Sequence, residues 1–361
     1  MIKVLFESSI FLHQNVGGIS KYITELNKNL LKNNISSRIF SPIAINYYLE
    51  EKKKSRNINF LKINQIPKFC RKIFFFINNI LTFVYIIIYK PNILHFSYYN
   101  KPLLKYLSIP YVITIYDLIY EKMNFSQNKF EKKELLEKAK HIICISKQTK
   151  KDLIKFYKLD KNKISVVYLG TYNRKFKNIK KKNKYILYVG SRKRYKNFKN
   201  FILAFSKSKY LINNYKIVCF GGGNFQKDEI KNFKKLGLEY NLNYIKGNDL
   251  KLSYLYRRAS LYVSLSIYEG FGLTLLEAIQ SRCPVLCSNI PVFREIYKNS
   301  CEFVNPNNIT DITKGLKSVL KSPKKQRKLI TNSKKIIEKY TWENCAKETA
   351  KIYRRVSNYE K

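Results

Sequence analysis

The sequence, 361 residues long, predicts an α/β protein built of two Rossmann-like domains facing a cleft, each with a parallel sheet covered by helices on both sides. Three observations predict it. Short β-branched and aromatic runs alternate with longer amphipathic stretches throughout. The alternation falls into two series, separated by the polar, densely basic stretch Gly170–Lys184. The length also suits two domains, each able to bury a core of its own.

In chain order, the first series of expected strands is Lys3–Phe6, Arg38–Ser41, Ile93–Phe96, Tyr111–Ile115, Ile142–Ile145 and Ser165–Tyr168. After the first strand, Lys21–Lys32 reads as a helix with Tyr22, Leu26, Leu30 and Leu31 on one face. The second series is Tyr185–Val189, Lys216–Phe220, Tyr244–Lys246, Leu261–Leu265 and Val285–Ser288. Its first helix, Lys199–Ser208, carries Phe201, Ile202 and Phe205 on its inner face. In open sheets of this kind ligands sit at the carboxyl ends of the strands, so the cleft between two such domains is the expected site. The apolar run Ile73–Tyr89 is shorter than the ~20 residues of a membrane span. Asn78 and Asn79 lie in its middle, and Arg71, Lys72 and Lys90 flank it. It reads as a buried or interfacial helix.

Lys and Arg number 70 against 24 Asp and Glu, a formal charge of +46. Lysines are spread along the whole chain and rise together with Asn, Ile, Tyr and Phe, as AT-rich coding would produce. Codon drift therefore explains most of the charge. The consequence is still electrostatic: such a surface attracts anionic membranes. The seven cysteines include no CxxC pair and several sit in apolar runs, so they read as buried thiols rather than a disulfide frame or zinc site. Three histidines without ligand spacing argue against a histidine metal site. The opening MIKVLF reads directly as a strand rather than a signal peptide.

Three stretches carry candidate chemistry. In YILYVGSRKRYKNF, residues 185–198, a strand ends at Gly190 and Arg192, Lys193, Arg194 and Lys196 precede a helix. Cations placed there, with helix N–H groups behind them, suit a diphosphate, although four cations are also unsurprising in so basic a chain. The run Gly221–Gly223 follows a strand and permits positive φ and close approach of backbone to a ligand. In SIYEGFGLTLLEAI, residues 266–279, Gly270 and Gly272 allow a tight turn whose N–H groups, Phe271 to Thr274, form a nest for phosphate oxygens. Glu269 and Glu277 flank it, and carboxylates suit sugar diols. Thr274-x-x-Glu277 also matches a capping box, so Glu277 has two readings.

Together these stretches resemble retaining glycosyltransferases of the GT-B fold, family 4, the group 1 glycosyltransferases that include mannosyltransferases. Glu269 and Glu277 around GFG carry the resemblance, and it extends along most of the chain: GGISKYITEL from Gly17, HFSYYNKP (95–102), VITIYDLIYEKM (112–123), ICISKQTKKDLIKFY (143–157), ISVVYLGT (164–171), VGSRKRYKN, CFGGGNF and the closing YTWENCAKETAKIY (340–353). It implies an acceptor-binding domain over 1–172 with 340–361 packing back on it, a linker over 173–184, and a donor-binding domain over 185–339. It also implies that Arg192 and Lys196 hold the donor diphosphate, that Glu277 binds the ribose and Glu269 the transferred sugar, and that Phe271, Gly272, Leu273 and Thr274 complete the cradle. Gly17 and Gly18 would let backbone approach the diphosphate and acceptor, Lys246 and Gly247 would lie near the base, and Asp117 would contact sugar or acceptor. Tyr116 stands where many relatives have His. Of the histidines, His95 could line the cleft floor at its strand end, although a lone strand-end histidine is more often structural; His13, before the glycine loop, has the same two readings, and His141, opening an apolar strand, reads as structural.

The resemblance thus implies a hexosyltransferase, mannose first, using GDP-mannose or a UDP-sugar with no metal. Its acceptor would be a lipid-linked saccharide in surface polysaccharide assembly, at the inner, cytoplasmic face of an anionic membrane, and hinge closure would exclude water. The rivals are a basic nucleic-acid-binding protein and a non-catalytic scaffold. No nucleic-acid module is visible, so no nucleic-acid partner is expected, and the intact Arg192, Lys196, Glu269 and Glu277 argue against a scaffold.

Overall fold

The computed structural model describes residues 1–50, 57–59, 61–63, 66–67, 70–99, 108–123, 129–172, 182–192 and 194–358. Most of the expected linker, residues 173–181, together with Lys193 and the end of the HFSYYNKP stretch, lies outside them. The chain divides into two units, one of Met1–Gly170 with Trp342–Lys361 and the other of Thr171–Thr341.

The strands of the first unit are β1 (Ile2–Phe6), β2 (Ile35–Phe40), β3 (Ile43–Ala44), β4 (Asn57–Ile58), β5 (Leu61–Lys62), β6 (Ile93–Phe96), β7 (Tyr111–Ile115), β8 (His141–Cys144) and β9 (Ile164–Val166). Seven of them form a sheet in the order β4-β2-β1-β6-β7-β8-β9, while β3 and β5 pair separately. Among the described residues, the pairings of these strands are all parallel. Strands β6, β7 and β8 are buried along their whole length, as sheets covered on both faces require. That is why they read as continuous apolar runs.

The second unit holds β10 (Asn183–Val189), β11 (Lys216–Phe220), β12 (Leu242–Ile245), β13 (Ala259–Ser264), β14 (Val285–Ser288) and β15 (Glu302–Val304). The sheet order is β12-β11-β10-β13-β14-β15, again parallel. In both sheets the chain starts in the middle, runs outward to one edge, then returns to the other side. The reversal falls between β1 and β6 in the first unit and between β10 and β13 in the second.

Edge strands were the least legible elements. β4 and β15 were not anticipated, because two or three residues paired on one side leave little apolar pattern. β2 begins at Ile35, three positions before the expected start, because Ser36 and Ser37 join the ladder with β1.

The C-terminal helix Trp342–Asn358 packs on the helix Gly18–Leu30 and against β1 and β6, within the first unit. Trp342 and Tyr353 are buried. His95 on β6 holds this contact: its Nδ1 lies 2.5 Å from the Tyr353 hydroxyl and its Nε2 2.8 Å from Thr114 Oγ1. Of the two readings of His95, the structural one holds and the cleft floor does not. The ring is fully enclosed in the packing between sheet and helix. His141 is likewise internal and bonded to Ser165 Oγ at 2.8 Å, whereas His13 is exposed, with its ring 5.4 Å from Tyr98.

Burial lowers the His95 pKa to about 3, against 6.5 for a free imidazole. The unfolded chain therefore binds a proton that the folded chain excludes. The stability His95 contributes is complete above pH 6.5 and is lost as pH falls towards 3. Urea unfolding followed against pH should show this group adding a slope of up to about 1.4 kcal/mol per pH unit in that window. The slope should flatten in His95→Gln.

All seven cysteines are free; six are buried and Cys70 is half-buried. They behave as the small apolar side chains expected.

Candidate functional site

At a switch in strand order, the loops leaving two neighbouring strands diverge and open a crevice beyond the carboxyl edge. In the second unit these loops are Gly190–Asn197 after β10 and Leu265–Gly272 after β13. The backbone ties them together, with Ile267 N–H donating to Tyr195 O at 2.8 Å. Across the crevice Lys196 Nζ meets Glu269 Oε1 at 2.6 Å, and Ser266 Oγ donates to the same oxygen at 2.7 Å. Both charged side chains remain partly exposed, 25% for Lys196 and 15% for Glu269, so solvent and a solute reach the pair. Ser266 carried no signal of its own, since a serine two residues beyond a strand is ordinary.

The turn into the helix Leu273–Gln280 is held from below. Gly272 is its N-cap, with φ +90°, and no side chain caps it. A Cβ at Gly272 would stand 2.6 Å from Phe293 Cε1, while the buried Tyr297 hydroxyl donates to Gly272 O at 2.7 Å. The first N–H groups that turn back on the helix are those of Leu275 and Leu276, both to Gly272 O. Those of Leu273 and Thr274 precede the first helical acceptor. The nest read from the glycines is thus a helix N-terminus at the switch point.

This geometry removes the capping-box alternative for Glu277. The N-cap is Gly272, not Thr274, which places Glu277 beyond the N3 position from which a box can close. Glu277 is a half-buried side chain in the second turn. The fully buried Tyr262 reports on both glutamates. Burial pushes its phenol upward, Thr274 and Ser264 hydrogen bonds pull it down, and Glu269 and Glu277 add to the rise. Both carboxylates therefore lie near enough to act on one tyrosine.

Arg192 requires a correction. Its guanidinium does not stand ready for a diphosphate. Nε donates to Glu229 Oε1 at 2.8 Å and Nη2 to Glu229 Oε2 at 3.1 Å, while Nη2 also bonds Asn224 O at 2.9 Å and Nη1 bonds Gly221 O at 3.3 Å. It stacks over Phe225 at 4.8 Å and only 4% of its side chain is exposed. A planar fork that meets one carboxylate with two N–H groups and two carbonyls beside it is fully committed. Arg192 holds the loop after β11 in place. Sequence reading missed Glu229, whose signal was its position three residues after Gln226, the N-cap of the helix Lys227–Lys235; Gln226 N–H donates to Glu229 Oε2 at 2.8 Å.

The glycine run has a structural cause too. Gly221, Gly222 and Gly223 all have positive φ, and a Cβ at Gly222 would lie 2.5 Å from Gly190 O. The close approach anticipated for a ligand is made by the Gly190–Ser191 backbone. Lys246 and Gly247 follow β12, two strands from β10 and so about 10 Å from its end. Lys246 is exposed.

Gly17, Gly18 and Asp117 belong to the first unit. Gly17 is the extended N-cap of the helix Gly18–Leu30 and has no capping side chain. Asp117 Oδ1 accepts Ile119 N–H at 3.0 Å at the carboxyl end of β7. Tyr116 is buried and donates to Ser97 O at 3.1 Å, so it fills the interior. Glu7, unread in the sequence, spans the switch point of this sheet: Oε1 accepts Ser9 N–H and Ser9 Oγ, and Oε2 accepts Ser97 N–H at 3.3 Å and Ser97 Oγ at 3.1 Å. Among the described residues no group of three His, Cys, Asp or Glu side chains gathers to hold a metal ion.

The profile "Glycosyltransferase Family 4" matches residues 16–171, and "Glycosyl transferases group 1" matches residues 171–336. The chain belongs to glycosyltransferase family 4. Its curated relatives include the O-antigen chain mannosyltransferase RfbU of Salmonella typhimurium, 29% identical over 64% of this chain and 66% of that one. O-antigen chain mannosyltransferase B of Escherichia coli is 27% identical over 47% and 45%. An N-acetylgalactosaminyltransferase of Campylobacter jejuni, named for a diphospho-undecaprenol acceptor, is 26% identical over 66% and 64%. The alignments thus span about half to two thirds of these relatives. Among solved structures, sucrose-phosphate synthase from Thermosynechococcus elongatus superposes with a TM-score of 0.80 at 17% identity, over 99% of this chain and 100% of that one. Anabaena HepE in complex with UDP and glucose gives 0.80 at 15% identity, over 98% and 100%. At that identity the likeness establishes the fold, GT-B.

Proposed function

We propose that this family 4 chain transfers a hexose, mannose as first choice, from a nucleotide-sugar to a lipid-linked saccharide during surface polysaccharide assembly, with retention at the anomeric carbon. The observation that carries the reading is the Lys196–Glu269 pair at 2.6 Å, beside the N-terminus of the helix Leu273–Gln280. An ammonium and the first main-chain N–H groups of a helix at one switch point suit the paired phosphates of a nucleoside diphosphate. Glu269 faces the transferred sugar, Glu277 the ribose, and Lys246–Gly247 the base.

In this reading the bond from anomeric carbon to phosphate oxygen breaks and the nucleoside diphosphate departs. Lys196 and the amides of Leu273 and Thr274 stabilise its growing charge. The acceptor oxygen bonds the anomeric carbon on the face that the phosphate leaves, and its proton passes to the departing phosphate oxygen. Arg192 positions the neighbouring loop. The reading assigns charge neutralisation to these groups and includes no resident metal. Mannose is favoured by the names of the Salmonella and Escherichia relatives, and UDP-sugars by the HepE complex.

Thermal unfolding against GDP, UDP and ADP tests the donor. We expect GDP at a hundredfold excess over its Kd to stabilise the protein by about 2.7 kcal/mol, and ADP to leave it unchanged. Equal stabilisation by all three, or by none, would remove the site assignment.

A further inference from the structure

We propose that the helix Arg71–Tyr89 docks the protein in the plane of an anionic bilayer, with its outer apolar face sunk among the lipid chains. The inference deepens the proposed function and rests on it only for the acceptor's being lipid-linked.

Ile73, Phe76, Ile80, Phe83, Ile87 and Ile88 of this helix are all exposed; Phe76 is 64% and Ile88 72% accessible. At 100° per residue they form one stripe about 140° wide, running the helix's length of about 28 Å. The opposite face carries the buried Asn78, Thr82, Ile86 and Tyr89. Large apolar side chains normally turn inward, and an exposed stripe of this size marks an interaction surface.

By length and composition the helix could cross a membrane. Its inner face prevents that. Asn78 holds the β3 backbone through Nδ2 to Ile43 O at 2.8 Å and receives Ile43 N–H at 3.0 Å. Tyr85 accepts from Arg38 at 2.8 Å and stacks on Phe40 at 4.1 Å. Spanning would tear these polar groups from their partners and leave them unpaired in hydrocarbon. Lying in the interface keeps them.

Charge selects the occupant. Arg71 and Lys72 occupy the first turn, which holds no acidic residue. Cations there oppose the helix dipole, and lipid phosphates would relieve that conflict. Lys90 caps the other end. A second copy of the chain would set the same cations against Arg71, Lys72 and Lys90, whereas an anionic headgroup layer complements them.

Flotation with mixed phosphatidylglycerol–phosphatidylcholine vesicles, compared with pure phosphatidylcholine, tests this. The wild type should float with the mixed vesicles, less so at high salt. The double variant Phe76→Ser, Ile87→Ser should partition about tenfold less or worse. If it proved too unstable, Ile88→Ser would carry the same comparison with a smaller loss. Unchanged partition of the variant would overturn the proposal. So would a wild-type dimer, seen by light scattering, that the variant dissociates and that ignores vesicles. Nucleotide-dependent melting, measured without vesicles, should be equal in both proteins. Its absence from both would count against the proposed function and leave the flotation result standing.

Discussion

Replacing Lys196 with alanine should lower turnover by about 10²–10³-fold while changing unfolding free energy by less than about 1 kcal/mol. The two effects separate because of where the pair lies. Lys196 and Glu269 are partly solvated, so folding gains little from their contact, and Glu269 keeps the Ser266 hydroxyl when the ammonium is removed. A nucleotide-sugar in the crevice would displace the surrounding water, and the same ammonium would then act on a developing diphosphate in a drier setting, where its charge counts for more. Steady-state kinetics should place the loss in kcat more than in KM. Glu269→Gln combined with Lys196→Ala should cost less than the two losses added together, because the residues act as a unit. Wild-type turnover in Lys196→Ala would remove the central residue of the proposed site.

Arg192→Ala should behave oppositely, with a loss of about 3 kcal/mol in urea unfolding, and turnover falling as the loop loosens. Arg192 is 4% exposed against 24% for Glu229. Glu229→Ala should therefore also destabilise strongly, since it leaves a buried guanidinium with only carbonyl partners. Equal stability of wild type and both variants would return Arg192 to the list of groups available to a ligand. Measured together, the Lys196 and Arg192 variants distinguish a cation that serves the substrate from one that serves the fold, a distinction that four neighbouring cations in one loop do not reveal.

The central strands were legible because they are buried on both faces. YVITI at 111–115 and YILYV at 185–189 are apolar without alternation, which covered parallel strands require. Edge strands β4 and β15 were not legible, since a short element paired on one side needs little side-chain pattern. In the site, the tight turn at Gly272 and the nearness of Glu269 to a loop cation follow from local residue types and from strand ends expected to converge. Which cation, and whether Glu277 caps its helix, did not. The capping reading assumed a helix beginning at Thr274, and the packing of Phe293 and Tyr297 against Gly272 starts it two residues earlier.

By itself the sequence determined two parallel α/β units, the residue types gathered at their strand ends, and the family, because covalent spacing and apolar periodicity act locally and survive in one dimension. Tertiary structure alone decided that Arg192 is taken by Glu229, that Lys196 is joined to a glutamate 73 positions away, that His95 is sealed beneath a helix, and that the apolar face of Arg71–Tyr89 points outward. Each of these depends on which distant group arrives beside a side chain, and charge pairing and burial are properties of that neighbourhood, not of the residue.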